Sequence, residues 1–192
     1  MKKVLLLLAN GFEMYEASVF IDVIGWNLSE GDGTTELFTC GINKYIKSSF
    51  DQVLNVNFVI NEVIVDEFDA LAIPGGFENY GYYHDAYDDK FLELIREFNR
   101  KNKIIASICV GALPIAKSGI LNGKRGTTYV GERQDQLKYY GVNVINEPIV
   151  IENNIITSWN PSTAIDVSLK LLELLTSKDQ SFYIRKIMGF VN

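Results

Sequence analysis

The chain has 192 residues, 47% of them hydrophobic and 22% charged, with a net charge of −6. That length suits one domain over 1–192 with a real core, and the balance is that of a globular protein. The acidic balance, without a Lys/Arg cluster, argues against nucleic acid as a partner, and no apolar run reaches the length of a membrane span. The cysteines, Cys40 and Cys109, stand far apart in sequence, which is no disulfide framework and suits a reducing cytoplasm. His84 is the sole histidine, so no Cys/His metal cluster is expected, and nothing in the sequence calls for a cofactor.

Taken in order, Lys3 to Ala9 reads as a buried strand. Lys2-Lys3 before it could mimic a signal peptide, but the apolar run is too short and Asn10, Gly11 and Glu13 interrupt it. Asn10 to Tyr15 is a loop, and Glu16 to Leu28 a helix with Ala17, Phe20, Ile21, Val23, Ile24 and Leu28 on its apolar face. Glu16 therefore stands just past a strand end. Two readings are open there: a carboxylate stabilised by the helix dipole, or a group lining the crevice at the carboxyl ends of the strands.

Thr35 to Cys40 reads as a second strand in which Cys40 packs as a small apolar residue. Tyr45 to Ile60 suggests a small hairpin or an edge excursion. Asp69 to Ile73 is a strand ending in Pro74-Gly75-Gly76, a turn that exposes backbone N–H groups and lets a ligand come close. Phe77 to Asp89, with Tyr80, Tyr82, Tyr83, His84 and Tyr87, reads as a long loop, either a pocket wall or plain surface. Asp88 to Lys101 is a helix with Phe91, Leu92, Ile95 and Phe98 on one face.

Ile104 to Ile108 is a buried strand that stops at Cys109. Gly111 and Ala112 allow a helix to start tightly against it. A thiol at a strand-to-helix turn is held out at the sheet edge, facing the positive end of the next helix, which favours thiolate. This is the logic of a nucleophile elbow with Cys in the Ser position. A packed structural cysteine is the alternative.

Ser118 to Gly126 carries turn residues, and Gly126 to Tyr129 is a short extended piece. Glu132 to Tyr140 is a helix ending at Gly141, and Val142 to Ile145 a strand. Ile149 to Thr157 is a hairpin turned at Asn153-Asn154. Pro161 opens a helix over Ser162 to Leu175, and a last helix lies near Phe182 to Met188. Strands alternating with helices give an α/β class with a mostly parallel sheet.

Three segments fall together: Gly11-Phe12-Glu13-Met14-Tyr15-Glu16, Ile73-Pro74-Gly75-Gly76, and Ser107-Ile108-Cys109-Val110-Gly111. With Gly126-Thr127-Thr128 and Thr157 to Pro161 downstream, the chain resembles the DJ-1/PfpI family over nearly its whole length. The resemblance implies a flavodoxin-like three-layer α/β/α sandwich related to class I glutamine amidotransferases. It implies that Cys109 is the reactive cysteine, that Glu16 is the carboxyl against its sulfur, usually protonated, and that the Gly76 and Val110 N–H groups form the oxyanion pocket. It also implies a homodimer acting on a small molecule.

The departures from the family pattern bear on function. Protease-like members carry His directly after the Cys, where this chain has Val110. Members resembling human DJ-1 carry His after the Thr-Thr pair, where this chain has Tyr129. No Cys-His-acid triad of either kind is present, which speaks against a peptidase. Gly75, Tyr129 and His84 are candidates for the pocket wall. Three functions are open: a cysteine-nucleophile hydrolase or lyase for reactive carbonyls or similar electrophiles, an oxidative-stress sensor whose Cys109 goes to sulfinic acid, or a metabolite-binding module without chemistry.

Overall fold

The computed structural model describes residues 1–190. In chain order the elements are β1 (Lys2–Leu8), α1 (Met14–Glu30), β2 (Thr35–Gly41), β3 (Tyr45–Lys47), β4 (Val53–Asn55), β5 (Phe58–Val59), β6 (Ala70–Ile73) and α2 (Tyr82–Ala86). Then follow α3 (Asp89–Arg100), β7 (Ile104–Ser107), α4 (Ala112–Lys117), β8 (Arg125–Gly126) and α5 (Glu132–Tyr139). The last are β9 (Asn143–Val144), β10 (Ile149–Glu152), β11 (Ile155–Ser158), α6 (Ala164–Leu175) and α7 (Lys178–Ile187).

The central sheet has the order β10-β11-β7-β6-β1-β2-β5. Its pairings are parallel except for the edge hairpin β10–β11. Val4 to Leu8 of β1 are wholly buried, as a strand covered on both faces must be. Helix α1 packs on α6, and α6 on α7 and β7, while α3 packs on β6 and β7 and on α4. The result is a flavodoxin-like three-layer sandwich. From β1 the chain crosses through α1 to β2; from β6 it crosses the other way through α3 to β7. The order therefore reverses between β1 and β6. In an open α/β sheet a ligand crevice forms at such a switch point, at the carboxyl ends of the strands.

Several sequence readings shift in the structure. Helix α1 begins at Met14, which puts Glu16 inside its first turn. The 45–60 region forms both the β3–β4 hairpin and the edge strand β5. The predicted strand 142–145 shortens to β9, which pairs with β8 outside the central sheet. The final helix starts earlier than expected, because the Ser177 hydroxyl accepts from the Gln180 N–H and caps it.

The largest correction is at 77–89, which is wound, with a 3₁₀ turn at Glu78–Tyr80 and then α2. Tyr82 is wholly buried and its hydroxyl donates to the Pro74 carbonyl at 2.8 Å. Asp85 accepts from the Asn10 backbone and side-chain amides at 2.9 and 2.7 Å. A five-residue helix is too short to show a period in sequence, so its anchors read as loop polarity and loop aromatics.

Candidate functional site

Three chain segments meet at the switch point. The 10–16 segment leaves β1, the 74–76 turn leaves β6, and Cys109 leaves β7. The first two are stitched together by Glu13 N–H to Gly75 C=O at 2.8 Å and Phe77 N–H to Gly11 C=O at 2.9 Å. These bonds bracket the antiparallel Phe12–Gly76 pair, so the Gly76 N–H turns away from Phe12. A side chain at Gly76 would meet the Tyr82 ring and the Gly11 carbonyl, so only glycine lets the two segments close. At Gly75 an added Cβ would stand 3.0 Å from Cys109 Cβ, Glu16 Oε2 and the Val110 nitrogen. Gly75 is thus the floor between the acid and the thiol.

Cys109 has φ 55, in the left-handed region that a non-glycine residue enters at a cost of about 1–2 kcal/mol. Its surroundings hold it there. The Ile108 N–H donates to the Ile73 carbonyl at 3.2 Å, the Gly111 N–H to the Ile108 carbonyl at 2.9 Å, and the Thr128 hydroxyl to the Cys109 carbonyl at 2.9 Å. The sharp turn takes the thiol out of the sheet and into an open pocket of about 380 Å³. A 3₁₀ turn at Cys109–Gly111 runs on into α4.

Glu16 is wholly buried. Its Oε2 accepts the Gly75 N–H at 2.6 Å, and its Oε1 has no hydrogen-bond partner of nitrogen or oxygen. Burial, then the charge of Glu13, push its pKa from 4.5 to about 8; the Gly75 N–H and the Cys109 side chain pull the other way. Glu16 therefore carries a proton at neutral pH. With Oε2 occupied, that proton belongs on Oε1.

The thiol itself is pushed up, by burial first and then by the charge of a deprotonated Glu16, while the Val110 N–H lowers it. The Glu16 contribution vanishes once Glu16 is protonated, and a protonated carboxyl stabilises thiolate by donating to it. The two groups thus titrate as an interacting pair. Burial opposes the thiolate that the helix dipole was expected to favour, and α4 is short, which leaves the expected influence of Glu16 as the larger one.

The pocket is lined by Cys109, Val110, Gly76, Glu13, Tyr83 and Arg133, with Phe77, Glu78, Tyr129 and Pro161 at its wall. Of the residues singled out from sequence, the fold brings together Cys109, Glu16, Gly75, Gly76, Val110 and Tyr129. His84 is not among them. Its side chain is 90% exposed and its Nδ1 lies 3.1 Å from Asp85 Oδ1, on the outer side of α2. Tyr83, one of the aromatics offered as a pocket wall, lines the pocket, whereas Glu13 and Arg133 were missed. Glu13 lay beside a marked motif, but its burial, which raises its pKa, shows only in three dimensions. Arg133 stands on a helix whose exposed charges looked like ordinary surface.

Among the described residues no group of three or more His, Cys, Asp or Glu is placed to hold a metal ion, and no helix is long and apolar enough to cross a membrane.

Comparison with known proteins adds to this geometry. The family model described as DJ-1/PfpI family matches residues 2–174. Deglycase PfpI of Pyrococcus furiosus is 30% identical over 160 residues, 83% of this chain and 90% of that protein. Glutathione-independent glyoxalase DJ-1 of Schizosaccharomyces pombe is 33% identical over 144 residues, 72% of this chain and 73% of that one. The crystal structure of Drosophila melanogaster DJ-1beta superimposes with a TM-score of 0.85 at 26% identity, covering 97% of each chain.

Proposed function

The chain belongs to the DJ-1/PfpI family, and from its Cys109 site we propose a cysteine-dependent hydrolase or lyase acting on small reactive carbonyl compounds. The observation that carries this reading is Glu16: a buried acid, protonated at neutral pH, whose carboxyl stands across Gly75 from the thiol. Relatives named deglycase and glyoxalase support the same class of substrate.

In the proposed step the Cys109 thiol gives up its proton to solvent, and the resulting thiolate, beside protonated Glu16, adds to the carbonyl carbon. The S–C bond forms as the π pair of C=O moves to oxygen. That oxyanion is met by the Gly76 and Val110 N–H groups and takes the proton of Glu16, giving a hemithioacetal and a Glu16 carboxylate. The carboxylate is then the base for the next proton transfer, and water is the co-substrate of a hydrolytic outcome. No imidazole takes part, since His84 does not line the pocket, and a peptidase reading has no base to stand on. Tyr129 forms wall. The test is turnover of a 2-oxoaldehyde by the wild type and by Cys109→Ala. Loss of turnover in the variant is expected; full turnover without the thiol overturns the reading.

The same donors favour a second reading, a redox sensor. A Cys109 sulfinate would accept from protonated Glu16 and the Val110 N–H. Mild peroxide followed by intact-mass and peptide analysis should add two oxygens at Cys109 and none at Cys40; oxidation of Cys40 first sinks it. In either case we read the chain as a single domain and a homodimer working on a small molecule in a reducing cytoplasm.

A further inference from the structure

We propose that Arg133 is the specificity-determining residue of the Cys109 pocket, and that the electrophile it selects carries a carboxylate. The inference deepens the carbonyl-enzyme reading and rests on it for the identity of the reacting group.

Arg133 is the cation among the pocket-lining residues, where Glu13 and Glu78 are the acids. Its guanidinium is positioned from three sides. Nη1 donates to Gln136 Oε1 at 3.0 Å, Nη2 to Glu78 Oε2 at 2.7 Å, and the guanidinium carbon stands 5.0 Å from the Tyr83 ring centroid. The Gln136 and Tyr83 contacts orient the fork. The Glu78 contact is different in kind. Glu78 is 64% exposed against 23% for Arg133, so its ion pair is screened, and the free carboxylate returns to water at little cost. Glu78 is thus an exchangeable counter-ion, standing where a substrate carboxylate would bind.

Two further features set the direction of the bound molecule. The Tyr83 ring lines the pocket and holds the guanidinium against its wall. Glu13, together with Glu78, repels an anion from the rest of the cavity. A short molecule then fits one way round, its carboxylate at Arg133 and its electrophilic carbon at Cys109. A pocket of about 380 Å³ suits a molecule of that size.

The test uses two alkylating probes of the same shape, iodoacetate and iodoacetamide, which differ by the carboxylate. Both react as the Cys109 sulfur bonds to the methylene carbon and iodide leaves, so the assay needs no turnover. Rates are read as adduct on the Cys109 peptide. The ratio of iodoacetate to iodoacetamide rates should fall about tenfold in Arg133→Gln. It should rise in Glu78→Gln, which frees the guanidinium. An unchanged ratio in both variants overturns the proposal. Should Arg133→Gln unfold, Glu78→Gln still decides, since a ratio that does not rise there sinks the idea. A carbonyl assay that fails while the ratio shifts as expected would refute the enzyme reading and leave the carboxylate subsite standing.

Discussion

The two cysteines stand near strand ends in the same sheet and are both buried, yet they differ in backbone conformation and in what faces the sulfur. Cys40 lies within β2, held in register between Leu7 of β1 and Phe58 of β5. Its thiol is pushed up to about 12, by burial and then by the charge of Glu62. Cys109 lies past the end of β7 in a left-handed conformation, with a pocket in front and a protonated acid beside it. Burial does not distinguish them, and neither does the direction of their pKa shifts. The distinction is where the ladder stops. A residue inside the ladder has its backbone groups spent on neighbours; a residue just beyond can turn its side chain outward and find amides pointing at it.

The strongest way to break this contrast is to remove each thiol in turn. Cys109→Ala should bring carbonyl turnover down by about 10³-fold or more, toward background. Cys40→Ala should keep turnover and lose about 1 kcal/mol in urea unfolding, the cost of a small void. If Cys40→Ala costs as much activity as Cys109→Ala, the contrast is wrong.

Next in size is the acid that only Cys109 has. Glu16→Gln should lower turnover by about 10²-fold, since the amide hydrogen-bonds but carries no transferable proton. The pH dependence has a definite sign. Folding raises the Glu16 pKa from 4.5 to about 8, so in that window the folded chain holds a proton that the unfolded chain releases. The stability due to this group is fully present below about 4.5 and declines as pH rises through about 8, by up to several kcal/mol in all. Urea midpoints of the wild type should fall across that range more steeply than those of Glu16→Gln. Parallel curves would mean that Glu16 is not the proton holder.

Smaller effects concern the frame. Gly75→Ala should cost about 1–3 kcal/mol and slow Cys109 alkylation, because the new methyl intrudes among Cys109, Glu16 and Val110. Thr128→Val should cost about 1 kcal/mol by removing the hydroxyl that satisfies the Cys109 carbonyl. The alkylation rate at Cys109 should shift in Thr128→Val and stay unchanged in Cys40→Ala, a comparison readable by peptide mass.

Much of the frame was legible in the residues. The apolar runs of β1, β6 and β7 are too continuous for anything but covered parallel strands, and Pro74-Gly75-Gly76 marked the turn that must pass close to its neighbours. The elbow could be located because Gly111 and Ala112 follow an abrupt stop. What stayed hidden was long-range or short-period. Tyr82 reads as a loop aromatic until its ring is seen beneath Gly76. His84 is a pocket-wall candidate only by its place in the 77–89 loop, and the turn of α2 leaves it facing solvent. Arg133 has no local signal, since its meaning comes from Glu78 and Tyr83, more than 40 residues away by sequence number. The raised pKa of Glu16 follows from enclosure, and sequence gives no measure of that.

The bond from the Gly75 N–H to Glu16 spans 59 residues, and Cys109 enters from a third strand later still. Contacts so far apart close late when a chain folds, because the loops between them must be ordered first. The nucleophile is therefore made before its environment. On a nascent or refolding chain Cys109 is an ordinary thiol, and its distinctive pairing with Glu16 begins when β1, β6 and β7 lie side by side. Its change from ordinary to site-specific reactivity is a clock for the completion of the sheet.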